Sequence, residues 1–178
     1  MNPLYIININ IKGMPKMPCK VTLKGHRGSV TTMAFHPSYN ILVTGSEDAC
    51  IVVWECDEYT REKSSKAHGN TVNHLAFDPT GRLLASCSND LSIKIWNFDN
   101  LTCIKTLTGH EHTVSYVEFS PDSLFLYSAS RDQSVRVWEV TNGSCKKILK
   151  EHTDWVRCLS INSEGNNTPI IYYNNNIT

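Results

Sequence analysis

His26, His68, His110 and His152 stand 42 residues apart. Asp48, Asp90 and Asp132 keep the same step of 42, and so do Trp54, Trp96 and Trp138. Val30, Val72, Val114 and Val156 form a further track, and Phe35, Phe77 and Phe119 another, with Ile161 in its fourth slot. Tracks that share one register mean that the chain repeats a single supersecondary unit. A unit of this size cannot bury its apolar face alone, so the copies must stack. No other feature of the sequence restricts the fold as strongly.

Inside each unit the pattern is that of short strands. "SVTTMAF", "TVNHLAF" and "TVSYVEF" follow the first three histidines, and Pro37, Pro79 and Pro121 punctuate the turns after them. "ILVTGS", "LLASCS" and "LFLYSAS" read as second strands. "CIVVW", "SIKIW" and "SVRVW" alternate, are rich in β-branched residues, and read as third strands. A fourth, such as "CIKTL", leads to the next histidine, and no segment has a helical period. Four strands in a period of this length describe the blade of a β-propeller. The expectation is an all-β propeller fragment of about three to three and a half four-stranded antiparallel blades, not closed. Its repeats run 19–60, 61–102 and 103–144, with a partial one at 145–165. The leader 1–18 and the Asn/Ile-rich tail 166–178 differ in composition from the repeats and are expected to be disordered and foreign to the domain.

A Ser/His/Asp hydrolase needs one triad at one site. Here His, Ser or Thr, Asp and Trp recur three times in register with the fold, so the constellation serves something each unit needs. The expectation is a structural hydrogen-bond clamp. An aspartate accepts from the amides of the turn between second and third strands; a histidine links it to a hydroxyl, and the hydroxyl takes the tryptophan N–H. The members are His26, Asp48 and Trp54; His68, Asp90 and Trp96; and His110, Asp132 and Trp138. The hydroxyl lies either four residues before the aspartate (Thr44, Ser86, Ser128) or two before it (Ser46, Ser88, Ser130). Both slots lie on one strand face, so the choice stays open.

The 17 acidic and 17 basic side chains balance, which gives no electrostatic footprint for nucleic acid or a membrane surface. No apolar stretch is long enough to span a bilayer, and no secretory leader is legible. The seven cysteines form no C-x-x-C pair; Cys19, Cys103 and Cys145 share one repeat slot, so free thiols in a reducing compartment are expected, with no metal and no cofactor.

Gly25-His26, Gly109-His110, and the endings Trp54-Glu55, Trp96-Asn97 and Trp138-Glu139 resemble the WD40 family. "MPCKVTLKGHRGSV", "LLASCSNDLSIKIWNF", "SASRDQSVRVWEV" and "EHTDWVRC" are similar, in order and wording, to its lissencephaly (nuclear-distribution) branch over roughly residues 17 to 165. That resemblance implies a non-catalytic scaffold regulating cytoplasmic dynein and microtubule-based transport in the cytoplasm and at the cytoskeleton and centrosome. It also implies the catalytic subunits of platelet-activating-factor acetylhydrolase as partners. It assigns partner contacts to Arg131 and Arg157, with Trp155 beside them as either a surface anchor or core padding. The branch's seven-bladed ring and N-terminal dimerisation segment are not matched, so a truncated chain is expected, monomeric unless exposed blade faces associate. A rival reading keeps the propeller as another adaptor, such as a ubiquitin-ligase substrate receptor.

Overall fold

The computed structural model describes residues 21–161 and the short strand Pro169–Ile170. The leader 1–18, Cys19 and the tail 166–178, apart from that strand, lie outside the described residues. The first sheet comprises β1 (Val30–Phe35), β2 (Ile41–Ser46), β3 (Cys50–Glu55) and β4 (Thr60–Lys66). The second comprises β5 (Val72–Phe77), β6 (Leu83–Ser88), β7 (Ile93–Asn97) and β8 (Thr102–Leu107). The third comprises β9 (Val114–Phe119), β10 (Phe125–Ser130), β11 (Val135–Glu139) and β12 (Cys145–Leu149). Each is an antiparallel meander in which chain neighbours are sheet neighbours. A two-stranded pair, β13 (Ser160–Ile161) with β14 (Pro169–Ile170), follows. The protein is all-β among its described residues, and the sheets do not close into a ring.

Stacking explains why the middle strands lack a clean polar face. β1 lies beside β5 and β5 beside β9, so the first strands line one side of the array. Between the first two sheets, Val43, Ile51 and Val53 pack on Val72, Leu75, Leu84 and Trp96. Between the second and third, Ala85, Ile93 and Ile95 pack on Val114, Val117, Leu126 and Trp138. Strands β2, β6 and β10 are therefore covered on both faces, whereas β4 and β12 are mostly exposed. Each fully buried Leu or Ile contributes roughly 1.5–3 kcal/mol by leaving water, so these interfaces are the main stabilising term.

The two ends of the array differ from the repeated sheets. Residues 21–26 ("VTLKGH") carry no strand although Leu23 is buried against Trp54 and Val52, because among the described residues no strand lies beside them to take their backbone hydrogen bonds. The first strand of the fourth unit is also short. Residues 151–159 form no strand, and β13 begins only at Ser160, where β14 supplies a partner.

Candidate interaction face and its repeated clamp

The three clamp sets are brought together by the same geometry. Trp54 Nε1 donates to Thr44 Oγ1 at 2.8 Å, Trp96 Nε1 to Ser86 Oγ at 2.9 Å, and Trp138 Nε1 to Ser128 Oγ at 2.8 Å. Each hydroxyl also meets a histidine Nε2: His26 at 2.7 Å, His68 at 2.8 Å and His110 at 2.7 Å. The opposite ring nitrogen faces the aspartate, with Nδ1–Oδ2 distances of 3.2, 3.0 and 2.7 Å for Asp48, Asp90 and Asp132. A neutral histidine satisfies this chain in one way: Nδ1–H donates to the carboxylate, and Nε2 accepts from the hydroxyl that has taken the indole N–H. Burial holds His68 and His110 below the ordinary imidazole pKa despite the neighbouring carboxylate, which agrees with neutral rings.

The bridging hydroxyl thus sits four residues before the aspartate. The hydroxyl two before it has a different partner set. Ser46, Ser88 and Ser130 accept the aspartate's own backbone N–H at 3.1, 3.0 and 3.1 Å. Ser88 donates onward to Asn70 O and Ser130 to Thr113 O, tying the turn to the preceding loop. A third hydroxyl escaped the sequence reading. Ser92 and Ser134, two residues after the aspartate, each donate to its Oδ1 at 2.6 Å. Burial alone would raise Asp90 and Asp132, but these serines, the histidines and backbone amides override it and hold both carboxyls at about 2. The first repeat carries Cys50 in that slot, and its thiol turns instead to Asp48 O at 3.6 Å. The signal was in the register, since 50, 92 and 134 also step by 42.

The same turns project residues from one end of the sheets. Arg131 N donates to Thr113 O at 2.9 Å, and Val156 N donates to Ser130 O at 3.1 Å, which pins the 155–157 segment beside the turn carrying Arg131. Trp155 is 42% exposed, so it lies on the surface rather than in the core. The Arg131 guanidinium lies 4.6 Å from its ring centroid and that of Arg157 lies 5.6 Å away, both within cation–π range. Among the described residues neither arginine makes an ion pair. A recess of about 200 Å³ opens between them, lined also by Asn73, Thr113 and Ser115.

Asn73 and Ser115 reach this recess because each first strand bulges at that slot. The pairing register shifts across Thr31, Asn73 and Ser115, and a bulge re-aims its side chain out of the ladder. Thr31 donates to Val72 O and Asn73 to Val114 O, each bridging to the next sheet. Among the described residues no group of three or more His, Cys, Asp or Glu side chains could hold a metal ion.

Comparison with known proteins places this geometry among relatives. The family model described as "WD domain, G-beta repeat" matches residues 17–55, 60–97, 101–139 and 143–168. A Lissencephaly-1 homolog of Schistosoma mansoni is 48% identical over 46 residues, covering 26% of this chain and 11% of that protein. One from Glossina morsitans morsitans is 46% identical over 50 residues, covering 27% and 12%. The chain thus spans about a tenth of the length of these curated relatives. The solved structure of U3-55K superposes with a TM-score of 0.72 at 28% identity, covering 78% of this chain and 43% of that one. That of the RRP9 WD40 repeats superposes equally well, with a TM-score of 0.72 at 28% identity over 78% of this chain and 42% of that one.

Proposed function

The chain belongs to the WD40 repeat family, and from that premise we propose that it is a non-catalytic protein-interaction scaffold of the lissencephaly type that regulates the cytoplasmic dynein motor on microtubules. The observation that carries the reading is the Arg131–Trp155–Arg157 stack. Two guanidiniums without an acidic partner among the described residues flank an exposed indole at the end of the sheets that carries these turns. Arginine and tryptophan dominate interface hot spots, and a guanidinium fork recognises carboxylates in a fixed geometry. The partner surface is therefore acidic and offers an apolar or planar group to the indole. The same reading supports the acetylhydrolase catalytic subunits as alternative partners and a cytoplasmic, microtubule-associated location. The Ser/His/Asp sets play no catalytic part in it, since each bridging hydroxyl (Thr44, Ser86 and Ser128) is fully buried beneath the indole N–H that it accepts, out of reach of a substrate.

The test is capture of the purified dynein motor domain by the chain on beads. Binding is expected to fall at least about tenfold, or about 1.4 kcal/mol, in Arg131→Ala with Arg157→Ala, and to weaken with salt. Retained binding in that double variant would move the contact elsewhere. Labelling of a single serine by a fluorophosphonate probe would reopen the hydrolase reading.

A further inference from the structure

At the opposite end of the sheets the first strands finish on Phe35, Phe77 and Phe119, each followed two residues later by a proline. These side chains line a concave groove of about 450 Å³, closed at one side by Ile161. Its charged lining consists of Asp78 and Glu118. The two carboxylates differ in kind. Asp78 is 2% exposed and saturated: Leu83 N donates to it at 2.8 Å, Thr80 Oγ1 at 2.5 Å and Ser123 Oγ at 3.2 Å. It is a turn-forming group with nothing left to offer.

Glu118 has no such explanation. Its Oε2 is shut off from solvent, and no described residue hydrogen-bonds it. A buried carboxylate oxygen without a donor is costly and rare enough in folded proteins to require a reason. Burial also pushes the Glu118 carboxyl above the ordinary glutamate range. The repeat register sharpens the anomaly, because the slot is Ala34 in the first unit and Ala76 in the second. The fold does not need a carboxylate there, and two of its three copies do without one.

We propose that the Phe–Pro groove is a second docking site, which takes a partner segment presenting one Lys or Arg between apolar side chains, the half-buried Glu118 side chain turning its carboxylate out to meet the cation and the apolar flanks lying on Phe35 and Phe77. The charge sign fixes the occupant: the groove carries two carboxylates and no cation, and an anionic segment would be repelled. The apolar walls exclude water from the pair, so a single cation there counts for more than on an open surface. The site is separate from the arginine face, so one scaffold could hold two partners of opposite charge at its two ends.

The probe is acetyl-leucyl-arginyl-leucine amide, titrated calorimetrically into the full chain, beside its citrulline counterpart of equal shape and no charge. The arginine peptide is expected to bind at least about tenfold more tightly than the citrulline one, and Glu118→Gln is expected to abolish that preference. Glu118→Ala installs the residue of the other two repeats, so its urea midpoint is expected to equal or exceed that of the parent, which keeps a loss of binding distinct from a loss of fold. Arg131→Ala with Arg157→Ala should bind the peptide normally, so failure of the dynein reading would leave this site standing. Equal binding of both peptides, unchanged binding in Glu118→Gln, or a lowered midpoint in Glu118→Ala would overturn the proposal. So would a dimer, seen by sedimentation at the working concentration, that blocks the peptide, since the groove would then be filled by a second copy.

Discussion

The clamp hydroxyl is the residue on which most depends. Ser128 Oγ takes the Trp138 N–H and meets His110 Nε2 at 2.7 Å, all three groups buried. Ser128→Ala leaves a buried donor and a buried acceptor unpaired, each worth about 1–3 kcal/mol. A loss of roughly 2–4 kcal/mol in a urea titration is expected, whereas Ser128→Thr, the residue type that Thr44 supplies in the first repeat, should be nearly neutral. Parity between the alanine and threonine variants would show that the network is not under load. A second prediction concerns His74, stacked on Tyr116 at 3.7 Å between ring centroids and hydrogen-bonded to Val117 O. Burial lowers its pKa from 6.5 to about 4. The unfolded chain therefore takes up a proton that the folded chain refuses, so stability is full above pH 6.5 and falls as the pH drops toward 4. Between pH 7 and pH 4.5 this group alone removes about 2–3 kcal/mol. His68 and His110 add to the trend in the same direction, while Asp90 and Asp132, held at about 2, remain ionised in that window. His74→Phe keeps the stack and should make the pH profile of the urea midpoint shallower over this range, the remaining slope coming from His68 and His110; an unchanged profile would acquit His74.

At the scale of the element, each sheet takes three strands from one repeat and its fourth from the start of the next, so β4, β8 and β12 join sheets across the repeat boundaries at 60/61, 102/103 and 144/145. The tight turns between second and third strands carry a repeated backbone demand: Ala49, Leu91 and Gln133, one place after each aspartate, have φ of 66°, 71° and 65°. A non-glycine residue pays roughly 1–2 kcal/mol for that conformation, partly offset by the looser unfolded state of glycine. Leu91 is 40% exposed, so its side chain adds little packing, and Leu91→Gly is expected to raise the melting temperature slightly. A clear fall would mean that Leu91 packs more than its exposure suggests. The strands themselves were legible because a stacked unit repeats its apolar slots, and spacing survives where single motifs drift. Arg131, Trp155 and Arg157 could be named from resemblance, but their stacking could not, since it depends on the Val156–Ser130 bond between segments a repeat apart. The bulge at Thr31, Asn73 and Ser115 was invisible for a related reason: it is a slip in pairing register, and pairing is not a property of one strand. Ser92 and Ser134 were legible in principle, and Cys50 in the same slot hid them.

For the whole molecule, the unclosed array sets where the fold is strong. Repeat stacks behave as short one-dimensional chains whose stability is a sum of unit and interface terms. The second sheet is buttressed on both sides, by Val43, Ile51 and Val53 from the first and by Val114, Val117 and Leu126 from the third. The outer face of the third is covered by Val156 and Leu159 from the connecting segment, and that of the first by Leu23 with Val21. The first strand of the first sheet also leaves Met33 and Phe35 half exposed, at 51% and 53%. Opening energies should therefore be graded rather than uniform, with the middle sheet unfolding last. Hydrogen exchange followed by mass spectrometry on the 178-residue chain tests this. Peptides spanning Leu83–Ser88 and Ile93–Asn97 are expected to exchange most slowly, those of Phe125–Ser130 faster, and those of Ile41–Ser46 and Cys50–Glu55 fastest of the buried strands. The half-exposed apolar end of β1 makes the first sheet the adhesive one, so protection there should rise with protein concentration while the middle sheet stays constant. Uniform protection at every concentration would mean that the three sheets unfold as one cooperative block, and that their interfaces are stronger than an open stack requires.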